Sequence, residues 1–104
     1  MDFKLSEREE LLRKSARDFA EREIAPKLDA MEDTGDFPVE LLKPMAKLGI
    51  TGINASRDYE GVELGYLART IVLEELGRIC AAIAMSMQVH HMAIAALQDF
   101  GTPE

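Results

Sequence analysis

The chain is poor in the residues that carry redox and aromatic chemistry, with one cysteine, no tryptophan, four Phe and two Tyr among 104 residues. The lone thiol, Cys80, cannot close an intrachain disulfide, which points to a reducing, cytoplasmic compartment. Positive charge is also short. Twelve Lys and Arg against 19 Asp and Glu leave a net charge of −7, the wrong sign for gripping phosphate backbones, so nucleic acid is not an expected partner. The start, Met1-Asp2-Phe3-Lys4, has neither the basic nor the apolar region of a secretory leader. A long hydrophobic run is missing as well. Residues 79–98 lie between Arg78 and Asp99 and hold no formal charge, but Ser86, Gln88, His90, His91 and Gln98 interrupt a stretch that is otherwise mostly Ala and Met. This reads as a buried helix and not as a membrane span.

Catalytic motifs are equally scarce. No Gly-rich phosphate loop or dinucleotide fingerprint is present. His90 and His91 are neighbours on a helix and point about 100° apart, unlike an i, i+4 pair that shares a metal ion. Nothing here is a strong catalytic motif, and no metal site is expected in this chain. Cys80 reads as a small core residue at a helix junction, and the Glu74-Glu75 pair as an ordinary helix surface.

What is present is an ordered, one-domain composition, 47% apolar and 30% charged. The expected fold is all-α, a small bundle of about four helices. Ser6-Glu7-Arg8-Glu9 is a capping box, and Leu12, Ala16, Phe19, Ala20, Ile24, Leu28 and Met31 follow at helical steps. Pro26 falls inside that pattern and predicts a kink near Ala25. Asp33-Thr34-Gly35-Asp36 is turn chemistry, and Pro38 suits the first position of a second helix running to about Leu48. Its apolar stripe is Leu41, Leu42, Met45 and Leu48, with Gly49 as a left-handed stop. Pro44 interrupts it and predicts a short or bent helix.

Residues 50–65 lose the helical period, gather Gly52, Asn54, Ser56, Asp58, Gly61 and Gly65, and read as a long ordered loop. A third helix is predicted over 66–79. Ala68, Val72, Leu76 and Ile79 form one face, flanked by Leu67 and Ile71, and Gly77 suggests close packing on a neighbour. A fourth helix is predicted over 82–100, apolar on nearly every face, with Gly101 as its stop. Three short companions cannot cover it. Charge is skewed the same way, with 21 charged residues in positions 1–50 and 10 in 51–104. The C-terminal half thus resembles the interior of something larger, and Thr102-Pro103-Glu104 looks like the start of another helix. On the fourth helix, Ala84, Met85, Gln88, Val89 and Met92 recur at i, i+1, i+4, i+5 and i+8. By spacing alone this stripe is either core or a ligand wall.

Several segments, in order, resemble the N-terminal helical domain of acyl-CoA dehydrogenases: Leu5-Ser6-Glu7-Arg8-Glu9-Glu10-Leu11-Leu12, Phe19-Ala20-Glu21-Arg22-Glu23-Ile24-Ala25-Pro26, Gly35-Asp36-Phe37-Pro38 and Leu48-Gly49-Ile50-Thr51-Gly52-Ile53. The likeness continues through Tyr59-Glu60-Gly61, Leu73-Glu74-Glu75-Leu76-Gly77-Arg78, Val89-His90-His91 and Phe100-Gly101-Thr102, and so covers residues 1–104. It implies a three-domain flavoenzyme whose β-domain and C-terminal helical domain lie outside this chain, assembled as a homotetramer. The implied reaction is α,β-dehydrogenation of an acyl-CoA thioester with FAD as cofactor and electron-transfer flavoprotein as electron acceptor. The catalytic base and most of the FAD site would belong to the other domains, leaving this chain inactive alone. A gapless match between Cys80 and Gly101 places Ala84, Met85, Gln88, Val89 and Met92 on one wall of the acyl pocket, the same stripe that spacing singles out.

Departures from the family pattern fall at Ala55, where Pro is usual, at Glu60-Gly61, where Gly-Gly is usual, at Pro44, and at His91, where Asn is common. Two alternatives stay open: a stand-alone helical interaction module, and a related flavin oxidase or monooxygenase.

Overall fold

A computed structural model describes residues 3–103, so Met1, Asp2 and Glu104 of the two terminal readings lie outside the described residues. The capping box forms as the sequence predicts. The Ser6 hydroxyl accepts from the Glu9 N–H at 3.2 Å, and the Glu9 carboxylate accepts from the Ser6 N–H at 2.7 Å. Helix α1 (Glu7–Phe19) follows from it. The break at Pro26 takes a gentler form than a kink. The Ala25 N–H bonds the Ala20 carbonyl across a widened π turn over Ala20–Ile24, a 3₁₀ turn over Ala25–Lys27 carries Pro26, and α2 (Leu28–Thr34) resumes. Widening the turn ahead of a proline relieves the clash of its ring with the preceding turn, and the backbone stays right-handed throughout. The helix therefore runs on through Asp33 and Thr34, and the turn itself is confined to Gly35, left-handed at φ 73°.

Pro38 precedes the next helical segment and is not its first residue. A 3₁₀ turn over Val39–Leu41 leads into α3 (Leu42–Lys47). Pro44 then sits in the first turn of α3, where its missing N–H is one of those a helix leaves unbonded anyway. Helix α3 ends in a Schellman motif, with the Ile50 N–H bonding the Met45 carbonyl at 2.9 Å and the Gly49 N–H bonding that of Ala46 at 3.0 Å. Gly49 has φ 82°, and Met45 and Ile50 both join the core.

The following loop is ordered by backbone bonds from Val62 to Gly52 and from Leu64 to Ile53, with a 3₁₀ turn at Arg57–Tyr59. Glu60 is left-handed there at φ 66°. Helix α4 (Tyr66–Ile79) and helix α5 (Ala81–Phe100) complete the fold, joined at the extended Cys80. Thr102 and Pro103 are not helical, and there is no strand among the described residues.

Helix α4 is the centre of the arrangement, packing on α1 and the π turn on one side and on α5 on the other. The result is a slab of 40 × 39 × 23 Å. All seven apolar positions of the first predicted stripe lie in or against the core, which continues through Leu41, Met45, Ile53, Val72, Leu76, Ile83 and Met87. Leu48 and Leu67, assigned to apolar stripes by spacing, are instead exposed. A slab this thin has no second layer over its edges, so the outermost residue of a stripe stays in water.

Candidate functional site

The proposed ligand wall lies on α5, and four features fix where that helix sits. Ile83 and Met87 bury one face completely or nearly so. At Gly77 a Cβ would stand 3.5 Å from that of Ala84, so the absence of a side chain on α4 lets α5 approach closely. His91, one turn on from Met87, is buried, and its Nε2 lies 2.7 Å from the Ile50 carbonyl. Near the C-terminus, the Gln98 side chain accepts a hydrogen bond from the Ser56 N–H. The helix is thus pinned to α4 and to the 50–65 loop along its length.

The opposite face is open. Met85, Val89 and Met92 are 60%, 55% and 58% exposed, Gln88 is exposed and Ala84 is half-buried. Helix α5 is therefore covered on one side only in this chain, and three large apolar side chains line up along its free face. A contiguous exposed apolar surface of this kind marks a site of contact with something else. Ala84, Met85 and Gln88 border a groove of about 480 Å³ shared with Arg69 and Thr70 of α4. Met92 borders a separate cavity of about 350 Å³ against the loop, and Val89 lines neither of these two. The stripe is thus one continuous rail flanked by two hollows.

Two polar clusters escaped the sequence reading. Glu75 is 2% exposed, not a surface acid. Its carboxylate accepts Arg17 Nε and Nη2 at 3.0 Å each, with Arg78 Nε at 3.5 Å and Arg13 Nε at 3.8 Å. The Arg17 hydrogen bond, with the charges of Arg17 and Arg78, holds the Glu75 carboxyl below the usual carboxylate range despite its burial. The cluster locks α1 to α4 on the side of α4 away from α5. No sequence signal announces it beyond the presence of arginines on one predicted helix and an acid on another.

The second cluster centres on His91, whose Nδ1 accepts from Arg69 Nε at 3.3 Å. That contact requires Nδ1 to be the unprotonated nitrogen and leaves the Nε2 proton for the Ile50 carbonyl. Burial, reinforced by the charges of Arg69 and His90, pushes the His91 pKa down, against the opposing pull of the Ile50 bond.

Among the described residues no group of three or more His, Cys, Asp and Glu is placed to hold a metal ion. The cavity at the α5 N-terminus, beside Cys80, is bordered by Glu32 and Asp36, the wrong sign for a pyrophosphate. No described helix is long and apolar enough to cross a membrane.

Residues 6–104 match the family model described as acyl-CoA dehydrogenase, N-terminal domain. An acryloyl-CoA reductase (NADH) of Anaerotignum propionicum is 38% identical over 104 residues, covering 100% of this chain and 26% of the relative. A short-chain specific acyl-CoA dehydrogenase of Clostridium acetobutylicum is 35% identical over 105 residues, covering 100% of this chain and 28% of the relative. The mitochondrial short-chain specific acyl-CoA dehydrogenase of Bos taurus is 35% identical over 101 residues, covering 96% of this chain and 24% of the relative. The chain therefore spans about a quarter of the length of these curated relatives.

Proposed function

The chain belongs to the acyl-CoA dehydrogenase family, as its N-terminal domain, and from that premise we propose that it supplies one wall of an acyl pocket in an FAD-dependent enzyme. The wall is Ala84, Met85, Gln88, Val89 and Met92. The observation that carries this reading is the open apolar face of α5, fixed in position on its other side by Ile83, Met87 and His91. Two methionines suit an adaptable apolar surface, because their side chains are flexible and polarizable. The role of these residues is to exclude water and to limit the length of the acyl chain.

The reaction of the whole enzyme is α,β-dehydrogenation of an acyl-CoA thioester, with electrons leaving to an electron-transfer flavoprotein and the protein assembled as a homotetramer in the cytoplasm. FAD would be held by the part of the enzyme that corresponds to the remainder of its relatives. The A. propionicum relative is named for reduction of an unsaturated acyl-CoA, so the reading covers the same carbon–carbon bond in either direction.

The test uses full-length enzyme carrying Ala84→Phe or Met92→Trp, assayed with saturated acyl-CoAs of increasing length and with the corresponding enoyl-CoAs. Butyryl-CoA comes first, because two of the relatives are named short-chain specific. The bulkier side chain is expected to lower kcat/KM for the longest accepted substrate about tenfold or more while leaving the shortest little changed. Unchanged length preference would refute the wall assignment. Full-length protein that neither binds FAD nor turns over any acyl-CoA would refute the enzyme reading.

A further inference from the structure

Three segments meet at one imidazole. His91 of α5 is 5% exposed, with its Nε2 2.7 Å from the carbonyl of Ile50, the residue that closes the Schellman motif after α3, and its Nδ1 3.3 Å from Nε of Arg69 on α4. Among the described residues this last contact is the only hydrogen bond between side chains of α4 and α5. The core that the two helices share is apolar, built from Val72, Leu76, Ile83 and Met87. Arg69 is half-buried and borders both hollows beside the rail.

The contact holds in one protonation state only. A guanidinium N–H can only donate, so Nδ1 must be bare to receive it. A proton added to Nδ1 sets two donors and two positive charges face to face. The imidazole is held by its burial and by the Ile50 carbonyl, whose bond from Nε2–H is strengthened when the ring is charged. The half-buried Arg69 has a way out to water, so it is the partner that moves.

Nearby groups do not cancel this effect. In the cavity that His91 borders, α4 contributes Tyr66 and Arg69, the loop contributes the uncharged Thr51 and Asn54, and Asp99 alone is acidic. Asp99 is exposed and stands about two turns further along α5, where water screens it. Burial, with the charges of Arg69 and His90, accordingly keeps the folded His91 pKa below its ordinary 6.5.

We propose that His91 is a proton-operated latch: neutral, it ties the Arg69 side chain to α5, and protonated, it releases that side chain to water while remaining bonded to Ile50. The latch is closed above the folded pKa of His91 and opens as pH falls through it. It does not rest on the acyl-wall reading, because what opens is a contact between α4 and α5 whatever the rail meets.

The test is hydroxyl-radical footprinting of the full-length protein from pH 8 to pH 5, read by mass spectrometry as oxidation of Arg69 relative to the exposed Arg57 of the loop. The fully buried Met45 reports on unfolding in the same samples. The Arg69 to Arg57 ratio is expected to rise at least about twofold towards pH 5 while Met45 stays protected. His91→Gln, which offers a donor and an acceptor but does not titrate, is expected to show a flat ratio. His91→Asn, carrying the residue common at this position in the family, is expected to do the same and stands in if the Gln variant does not fold. A flat ratio in the wild type would overturn the proposal. So would an equal rise in a folded variant, or a rise that comes only together with oxidation of Met45.

Discussion

Replacing Glu75 by Gln removes one negative charge from the contact between α1 and α4 and keeps the shape of the side chain. Cutting one partner out of a fully buried ion pair costs about 3–5 kcal/mol, because the other charge is stranded. Here the partners are not stranded, since the Arg17 and Arg78 side chains are 46% and 47% exposed and water replaces much of what they lose. What disappears is the charge together with one of the two 3.0 Å bonds from Arg17, since the amide nitrogen of Gln cannot accept, in a side chain only 3% exposed. A hydrogen bond to a charged group contributes about 1.5–3 kcal/mol. We expect a loss of about 2 kcal/mol at pH 7, read as a lowered urea midpoint at constant m-value.

The pH dependence follows from the same contact. The folded pKa of Glu75 lies below its ordinary 4.5, so its contribution is complete above that value and is lost as pH falls through the folded pKa. The gap between wild type and variant should therefore be widest at neutral pH and close in acid. A gap that stays constant into acid, or one under about 0.5 kcal/mol at neutral pH, would refute the reasoning and reduce the cluster to a surface ornament.

Other outcomes are expected nearby. Glu60 is left-handed without being glycine, a conformation costing about 1–2 kcal/mol; Glu60→Gly recovers part of that against its own entropic cost, and melting should rise by a few degrees. Gly61→Ala would drive a Cβ into the Ala55 carbonyl, so calorimetry should show a loss of at least about 1–3 kcal/mol. His91→Gln keeps a donor for Ile50 but cannot titrate. Because the folded pKa of His91 lies below 6.5, wild-type stability is complete above that value and falls as pH drops through the folded pKa. The variant should lack this loss in chemical unfolding between pH 8 and 5, and identical pH profiles would contradict the lowered pKa of His91.

Local rules recovered what local chemistry decides. The Ser6–Glu9 box, the Gly49 stop and the stripe from Leu12 to Met31 all stand where spacing and capping put them, since each is settled within a turn or two of chain. The form of the break at Pro26 was not legible, because a proline inside a helix is compatible with a kink, a π turn or a stop, and tertiary packing of Ala20 and Ile24 on α4 chooses among them. Glu75 was misread for a related reason. Its neighbour Glu74 is exposed, and only the approach of Arg13 and Arg17 from a helix some sixty positions earlier distinguishes the two.

The α5 stripe was legible as a row but not as a surface. Periodicity places Met85, Val89 and Met92 on one side of a helix without saying whether that side meets a neighbour. The breadth of apolar sequence on α5 suggested burial on nearly every side, and more cover than the three companion helices of this chain can supply. The thin slab leaves that face bare.

That bareness separates two selective pressures that usually fall on the same residues. Side chains at exposed positions contribute little to folding, commonly within about 0.5 kcal/mol, so Met85, Val89 and Met92 are free of the packing demands that fix Ile83 and Met87 on the same helix. A lineage carrying this domain can exchange one set of side chains while the other stays put, one helix serving both inheritance and novelty. Changes in what the rail meets would then accumulate by single substitutions, without the compensating mutations that redesign of a buried core requires.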